Sequence, residues 1–188
     1  FYLANHGVAP DILAEALDAA AQFFDLPRAE KSRIAMENSP CHRGWFALGG
    51  EALDHRAHPE GDYKEGIKIG QDLGADHPRV KASLALHGPN QWPDIELWQP
   101  TMQRCFWACE TLSRQLMQAF ALALGLERQF FNEWLSLPMA TLGPLYYPPI
   151  PTDARPRISA GAHTDFGCLT LLAQQHIGGL QILTRDNE

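Results

Sequence analysis

At 188 residues, with 45% hydrophobic and 20% charged residues, the chain has the size and composition of one globular domain with its own core. Its net charge of −7 and the lack of an apolar run of membrane-spanning length argue against nucleic-acid and membrane partners. The four cysteines, Cys41, Cys105, Cys109 and Cys168, show no pairing pattern, which favours reduced thiols and a cytoplasmic location.

The first part of the sequence predicts helices joined by loops. Residues 11–24 carry apolar side chains at helical spacing, and Asp11 is the predicted N-cap of this helix. A second, charged helix is predicted over 27–36. Short strands are predicted at 44–46 and 63–69, separated by turn-forming residues.

The strongest helical pattern covers residues 94–125. We expect its core-facing side to be an i, i+4 row of apolar residues formed by Leu112, Leu116, Phe120 and Leu124. Gly125 can end this helix, and a shorter helix is predicted over 128–134.

The last third of the sequence predicts extended segments, at 140–147, 158–163, 169–174 and 180–184. Within the first of these, Gly143-Pro144 should disturb strand pairing, because proline has no N–H to donate to a ladder. Helices followed by strands indicate an α+β fold, in which helices lie against an antiparallel sheet or barrel.

Both ends of the sequence interrupt a pattern. The chain opens on a strand-like run at 1–4 and closes at Glu188, directly after another strand-like run. We therefore expect that it is a piece of a longer protein.

His163 and Asp165 stand two residues apart at the head of the apolar run 169–174. On an extended backbone, residues i and i+2 leave the same face, so the imidazole and the carboxylate would lie side by side. These are two of the three ligands of the facial triad that holds non-haem Fe(II). The spacing by itself leaves two interpretations open, a metal site and a hydrogen-bonded structural pair.

Two weaker metal candidates also follow from spacing. His55 and His58 lie three apart in a predicted loop, and Cys105 and Cys109 lie four apart on one face of the long predicted helix. Solvent exposure for the histidines and core packing for the thiols are the simpler interpretations.

Several motifs together resemble one family in collinear order over nearly the whole chain. They are Asn5-His6-Gly7, Arg43-Gly44-Trp45, Lys64-Glu65-Gly66, Asn90-Gln91-Trp92-Pro93, Tyr146-Tyr147-Pro148-Pro149, His163-Thr164-Asp165-Phe166-Gly167 and Gly178-Gly179-Leu180. The chain thereby resembles the Fe(II)/2-oxoglutarate-dependent dioxygenases of the isopenicillin N synthase-like branch. This resemblance implies a double-stranded β-helix (jelly-roll) core with a helical N-terminal half. It would place a helical region at 1–137 and the first part of the jelly roll at 138–188, together forming one domain.

The resemblance also implies a reaction and its site. Members oxidise a small-molecule substrate with Fe(II), 2-oxoglutarate and O2, and they release succinate. By position, His163 and Asp165 would bind the metal, and Tyr147 would donate a hydrogen bond to the 2-oxoglutarate carboxylate unless it only packs in the core. Arg43 would either contact a substrate carboxylate or form a structural ion pair. Lys64-Glu65 is expected to be structural.

The chain departs from the family pattern in ways that keep alternatives open. A second histidine ligand and an Arg-x-Ser for 2-oxoglutarate are expected well after the aspartate, but the chain ends at Glu188. His176, the only later histidine, stands where the family has no ligand, and Leu145 replaces a polar residue. An oxidase of the same fold that does not use 2-oxoglutarate, and a non-catalytic fragment or degenerate module, remain alternatives. We expect the 188 residues alone to be inactive.

Overall fold

The computed structural model of the chain describes residues 1–54, 56, 59–151 and 157–184. His55 and His58 lie outside the described residues. The helices are α1 (Pro10–Phe24), α2 (Arg28–Lys31), α3 (Pro78–Lys81) and α4 (Trp98–Ala123), and two 3-10 turns, Ser32–Ile34 and Met36–Asn38, follow α2. The strands are β1 (Gly44–Phe46), β2 (Glu65–Gly70), β3 (Thr141–Leu142) and β4 (Leu145–Tyr146). Helices packed against a small antiparallel sheet confirm the predicted α+β class.

Helix α1 is amphipathic, as its spacing predicts, and it buries a row that includes Ala16, Ala20 and Phe23. The prediction that Asp11 caps this helix is wrong. Ala9 occupies the N-cap position without a side-chain cap, and Pro10 begins the helix with a φ angle already suited to it. Asp11 instead binds Arg104 of α4, with 2.6 Å between Oδ2 and Nη2.

Helix α4 begins four residues later than predicted and ends close to the predicted glycine. Leu97 adopts a left-handed conformation (φ 60°) directly before the helix, which separates residues 94–97 from it. At the other end, Leu126 N–H donates to Ala121 O (2.9 Å) and Gly125 N–H donates to Leu122 O (3.0 Å). These two bonds form a Schellman motif, for which Gly125 (φ 72°) supplies the left-handed residue.

The face of α4 that is buried differs from the predicted row. Leu124 is 67% exposed, whereas Trp98 and Met102 are almost fully buried. Helix α1 covers the beginning of α4, where Trp98 Nε1 donates to Ala19 O at 2.8 Å. Because α1 has 15 residues and α4 has 26, α1 can cover only about half of α4. The position of α1 therefore decides which residues of α4 are buried, and the periodicity of α4 alone does not reveal that position.

The sheet is centred on β2, which pairs antiparallel with β1 on one side and with β3 and β4 on the other. The pairs Ile69↔Leu142 and Gly66↔Leu145 keep one register, so β3 and β4 are two halves of a single interrupted strand. At the interruption, Ile67 N–H donates to Pro144 O (3.1 Å), and Pro144 has no N–H to return. The predicted disturbance at Gly143-Pro144 is confirmed.

The later predicted elements do not form in the described residues. Segments 158–163, 169–174 and 180–184 contain no strand, and 128–134 forms turns instead of a helix. A strand needs a neighbouring strand for its backbone hydrogen bonds, and among the described residues the sheet consists of β1 to β4 without a further strand. The side chains of this region are accordingly exposed, as shown by Phe166 and Ile182 at 99% and 77%. Among the described helices, none has the length and apolarity needed to cross a bilayer.

Candidate metal centre

The structure brings His163 and Asp165 together. His163 Nε2 lies 3.4 Å from Asp165 Oδ1, and the two side chains are 36% and 55% exposed. The i, i+2 spacing predicted this pairing, although the pair lies outside any strand. The distance is longer than the usual N–H···O hydrogen bond, so the two side chains lie side by side without a full hydrogen bond between them.

The imidazole of His163 is oriented by the backbone. Its Nδ1 lies 2.8 Å from the carbonyl oxygen of Gly161. A carbonyl only accepts, so Nδ1 carries a proton, and in the neutral imidazole the free lone pair is then on Nε2. Metal-binding histidines generally show this arrangement, in which the second ring nitrogen donates to a carbonyl or carboxylate.

The pair has the spacing of two ligands on one cation. With metal–ligand bonds of roughly 2.1 Å, adjacent ligands of one ion lie about 3 to 3.5 Å apart. An imidazole beside a carboxylate is also the donor set of the non-haem Fe(II) facial triad. His163 and Asp165 therefore fit two positions of such a site.

The described part of the chain does not supply a third ligand. Across residues 1–54, 56, 59–151 and 157–184, no group of three His, Cys, Asp or Glu side chains could hold a metal ion. His176 is exposed and does not join the pair, and the Cys105–Cys109 thiols have no further ligand within the same ranges. A hydrogen bond from Cys105 lowers the pKa of the Cys109 thiol to about 7 despite its burial.

A buried ionic cluster lies beneath the His-x-Asp pair. Asp62 is fully buried, and its Oδ1 accepts from Gly161 N–H at 3.1 Å. Its Oδ2 accepts from Lys64 Nζ at 3.0 Å and from Leu53 N–H at 3.3 Å. Lys64 also contacts Glu51, with 3.4 Å between Nζ and Oε2. The structural role expected for Lys64 is consistent with these contacts, whereas Asp62 was not singled out from the sequence.

The only sequence signal for Asp62 was its place between a glycine and the strand-like run that begins at Tyr63. An acidic residue entering an apolar run is ordinary in a surface turn. Its contact with Gly161 spans 99 positions, so no local pattern reveals it.

Tyr147 follows β4 and is 46% exposed. Partial burial raises the pKa of its phenol; Lys64 opposes this increase, and the carboxylates of Asp62 and Glu51 add to it. The phenol is therefore protonated and can donate a hydrogen bond. Its hydroxyl has no hydrogen-bond partner among the residues that the structure describes, which leaves the donor available to a ligand.

Arg43 is buried, and burial lowers its pKa. Its guanidinium donates from Nη1 to Cys41 O (3.3 Å) and from Nη2 to Leu86 O (3.0 Å), and it lies against Gly70, where a Cβ atom would collide with it. Within the described ranges it forms no ion pair, so the described residues give no support to the ion-pair alternative. Backbone carbonyls hold this cation instead, and its buried Nε has no partner in the same ranges.

Two family models match the chain. The model described as non-haem dioxygenase in morphine synthesis N-terminal matches residues 1–95, and that of the 2OG-Fe(II) oxygenase superfamily matches residues 133–188. A 2-oxoglutarate-Fe(II) type oxidoreductase of Emericella nidulans is 35% identical over 97% of the chain and 54% of its own length. A protein of the same description from Aspergillus fumigatus is 35% identical, again over 97% of the chain and 55% of its own length.

Solved structures agree with these matches. A 2OG-Fe(II) oxygenase family protein from Caulobacter crescentus has a TM-score of 0.66 and 28% identity, over 79% of the chain and 47% of its own. A full-length Neurospora crassa protein, solved in complex with alpha-KG and thymine, has a TM-score of 0.61 and 27% identity, over 77% of the chain and 44% of its own. The present chain spans about half the length of the relatives it matches. With one model covering residues 1–95 and another covering the His-x-Asp segment, the chain belongs to the family of 2-oxoglutarate- and Fe(II)-dependent oxygenases.

Proposed function

We propose that the protein containing this chain oxidises a small molecule with Fe(II), 2-oxoglutarate and O2. The observation that carries the proposal is the orientation of His163. Its Nδ1 proton is held by Gly161 O, so the lone pair of Nε2 stands free beside Asp165 Oδ1. Family membership and relatives described as 2-oxoglutarate-Fe(II) type oxidoreductases support the choice of metal and cosubstrate.

Each residue has a distinct role in this proposal. His163 and Asp165 hold Fe(II), which when bound supplies the O2-dependent oxidation coupled to conversion of 2-oxoglutarate to succinate. Tyr147 donates its free hydroxyl proton to a 2-oxoglutarate carboxylate. Arg43 is buried, so its unpartnered Nε–H could donate to a substrate carboxylate only after local rearrangement.

We also propose the arrangement of the whole site. Residues 1–137 form a helical region that packs on a jelly-roll core, and 138–188 form the first part of that core. Support comes from the change of family model between residues 95 and 133. We further propose a cytoplasmic protein without a nucleic-acid partner, because the cysteines among the described residues are unpaired and the net charge is −7.

The test is an anaerobic titration of the full-length protein with Fe(II) and then 2-oxoglutarate. We expect a weak visible charge-transfer band that needs both components, and succinate formation once O2 and a substrate are present. Turnover without 2-oxoglutarate would favour the oxidase alternative. Absence of both the band and Fe(II) binding would favour the non-catalytic alternative and contradict the proposal.

A further inference from the structure

The carboxylate of Asp62 binds the backbone of the segment that carries His163 and Asp165. Asp62 is fully buried, and its carboxylate has three donors among the described residues: Gly161 N–H on Oδ1, and Lys64 Nζ and Leu53 N–H on Oδ2. A buried carboxylate is strongly destabilising unless it is paired and hydrogen-bonded, and here both conditions are met. The resulting position of Oδ1 is rigid.

Gly161 connects this carboxylate to the histidine. Its N–H is bound by Asp62 Oδ1, and its carbonyl accepts from His163 Nδ1 at 2.8 Å. Next to it, Tyr63 N–H donates to Ile158 O at 2.8 Å, so one backbone bond and one bond to the Asp62 side chain fasten 158–161 to the Asp62–Tyr63 segment. A Cβ atom at Gly161 would stand 3.1 Å from both Cβ and N of Asp54, so the fit leaves little room for a side chain.

We propose that Asp62, with its charge compensated by Lys64, is a positioning residue that sets the tautomer and orientation of His163 through the backbone of Gly161, whose N–H and carbonyl belong to two successive peptide groups. This inference rests on the proposed function, because it treats His163 as a metal ligand. Asp62 does not touch the metal position itself. It acts by keeping the Gly161 carbonyl directed at Nδ1, so that Nε2 is the nitrogen left unprotonated.

Loss of the Asp62 carboxylate has a specific consequence. Without its acceptor, the Gly161 N–H is left buried and unsatisfied, and the 160–161 peptide that carries it can rotate to find another partner. That rotation changes the backbone angles at Gly161, which set the direction of the following carbonyl. The Gly161 carbonyl then moves away from Nδ1, and the Nε2–H tautomer becomes populated. That tautomer has no lone pair on Nε2 to offer to a cation.

Glu51 provides a matched control in the same cluster. Like Asp62, it is a carboxylate in contact with Lys64, at 3.4 Å compared with 3.0 Å. Among the described contacts it makes none with Gly161. Asp62→Ala and Glu51→Gln therefore each remove one carboxylate from Lys64, and only the first removes the acceptor of the Gly161 N–H.

The experiment uses the full-length protein and two measurements. The first is the dissociation constant for Fe(II), determined anaerobically for the wild type, Asp62→Ala, Asp62→Asn and Glu51→Gln. We expect Asp62→Ala to raise the dissociation constant for Fe(II) on the order of tenfold or more, which is typical for loss of a residue that hydrogen-bonds a metal ligand. Asp62→Asn keeps an acceptor oxygen for Gly161 and should bind more tightly than Asp62→Ala, and Glu51→Gln should stay within about threefold of the wild type.

The second measurement is the 15N shifts of the His163 ring in the metal-free protein. The wild type and Glu51→Gln should show the Nδ1–H tautomer, and Asp62→Ala should show a mixture. Equal Fe(II) affinities of Asp62→Ala and Glu51→Gln would overturn the inference. An Nε2–H tautomer in the wild type would also overturn it, and this measurement does not depend on whether any variant folds. If the wild type binds no Fe(II), the proposed function fails, and the tautomer comparison still decides whether Asp62 positions His163.

Discussion

Two regions of this molecule differ in the burial and hydrogen bonding of their charged side chains. Around β1 and β2, Lys31 and Glu65 are buried at 2.8 Å from each other, and Trp45 Nε1 donates to the second oxygen of Glu65 at 2.6 Å. Lys31 also donates to Phe24 O at 2.9 Å. Each oxygen of Glu65 therefore has a partner inside the fold.

In the segment 157–184, the side chains of His163 and Asp165 are partly exposed, and one nitrogen and one carboxylate remain available. Within its described residues, this segment has neither helix nor strand. The comparison indicates how a structural charge can be told from a binding one. In the buried pair, both oxygens of Glu65 are bonded inside the fold; in the proposed binding pair, the ring of His163 is held through one nitrogen while the other is left free.

The largest expected effect concerns the two available groups of the segment 157–184, and the question is whether the 188 residues alone support catalysis. We expect the 188-residue chain to form no detectable succinate from 2-oxoglutarate, because its described residues offer two protein ligands where three are needed. The measurement is succinate formation coupled to 2-oxoglutarate loss, with the full-length protein as the positive control. Coupled turnover by the 188 residues would show that two ligands suffice.

The next largest effect should come from the exposed pair. In the full-length protein, His163→Ala should weaken Fe(II) binding by at least about 100-fold, beyond the loss typical of outer partners. The free energy of unfolding should change by less than about 0.5 kcal/mol, as at other exposed positions. His176→Ala, in the same segment, is the matched control and should leave Fe(II) affinity unchanged. A similar loss of affinity in both variants would remove His163 from the site.

A third change addresses the buried region. Lys31→Ala leaves Glu65 buried without its cation, which should lower the free energy of unfolding by about 3 to 5 kcal/mol. Lys81→Ala removes an exposed pair with Asp76 and should give no resolvable change. Urea denaturation monitored by the tryptophan fluorescence measures both variants. Equal stability of the two would mean that burial of the Lys31 pair has little influence on the fold.

The smallest expected effect concerns Pro144, in the interrupted strand that pairs with β2. Pro144→Val supplies the N–H that is missing opposite Ile67, and a ladder hydrogen bond is worth about 0.5 to 1.5 kcal/mol. Loss of the rigid proline increases the entropy of the unfolded chain, which offsets about 0.4 to 1 kcal/mol of this gain. We expect a net increase in stability below about 1 kcal/mol, with slower amide exchange at Ile67. Faster exchange there would show that the interruption itself is favourable.

Features that depend on neighbours in sequence could be predicted from the sequence alone. Strand β1 forms over the predicted residues 44–46, and α1 buries the predicted apolar row. Gly125 ends α4, Pro144 interrupts the paired strand, and His163 meets Asp165. In each case the cause is local: helical or alternating spacing, a missing N–H, or a glycine able to adopt positive φ.

Features that depend on contacts between distant residues were decided only by the tertiary structure. The buried face of α4 follows from where α1 lies, and the apolar segments after 157 form no strand because a strand forms only beside another strand. The support of Gly161 by Asp62 joins residues 99 positions apart. The sequence therefore determined the family motifs and the residue types of the candidate site. The fold decided which carboxylate is buried beneath that site and which histidine nitrogen is left free, because both depend on hydrogen bonds between segments that are distant in sequence.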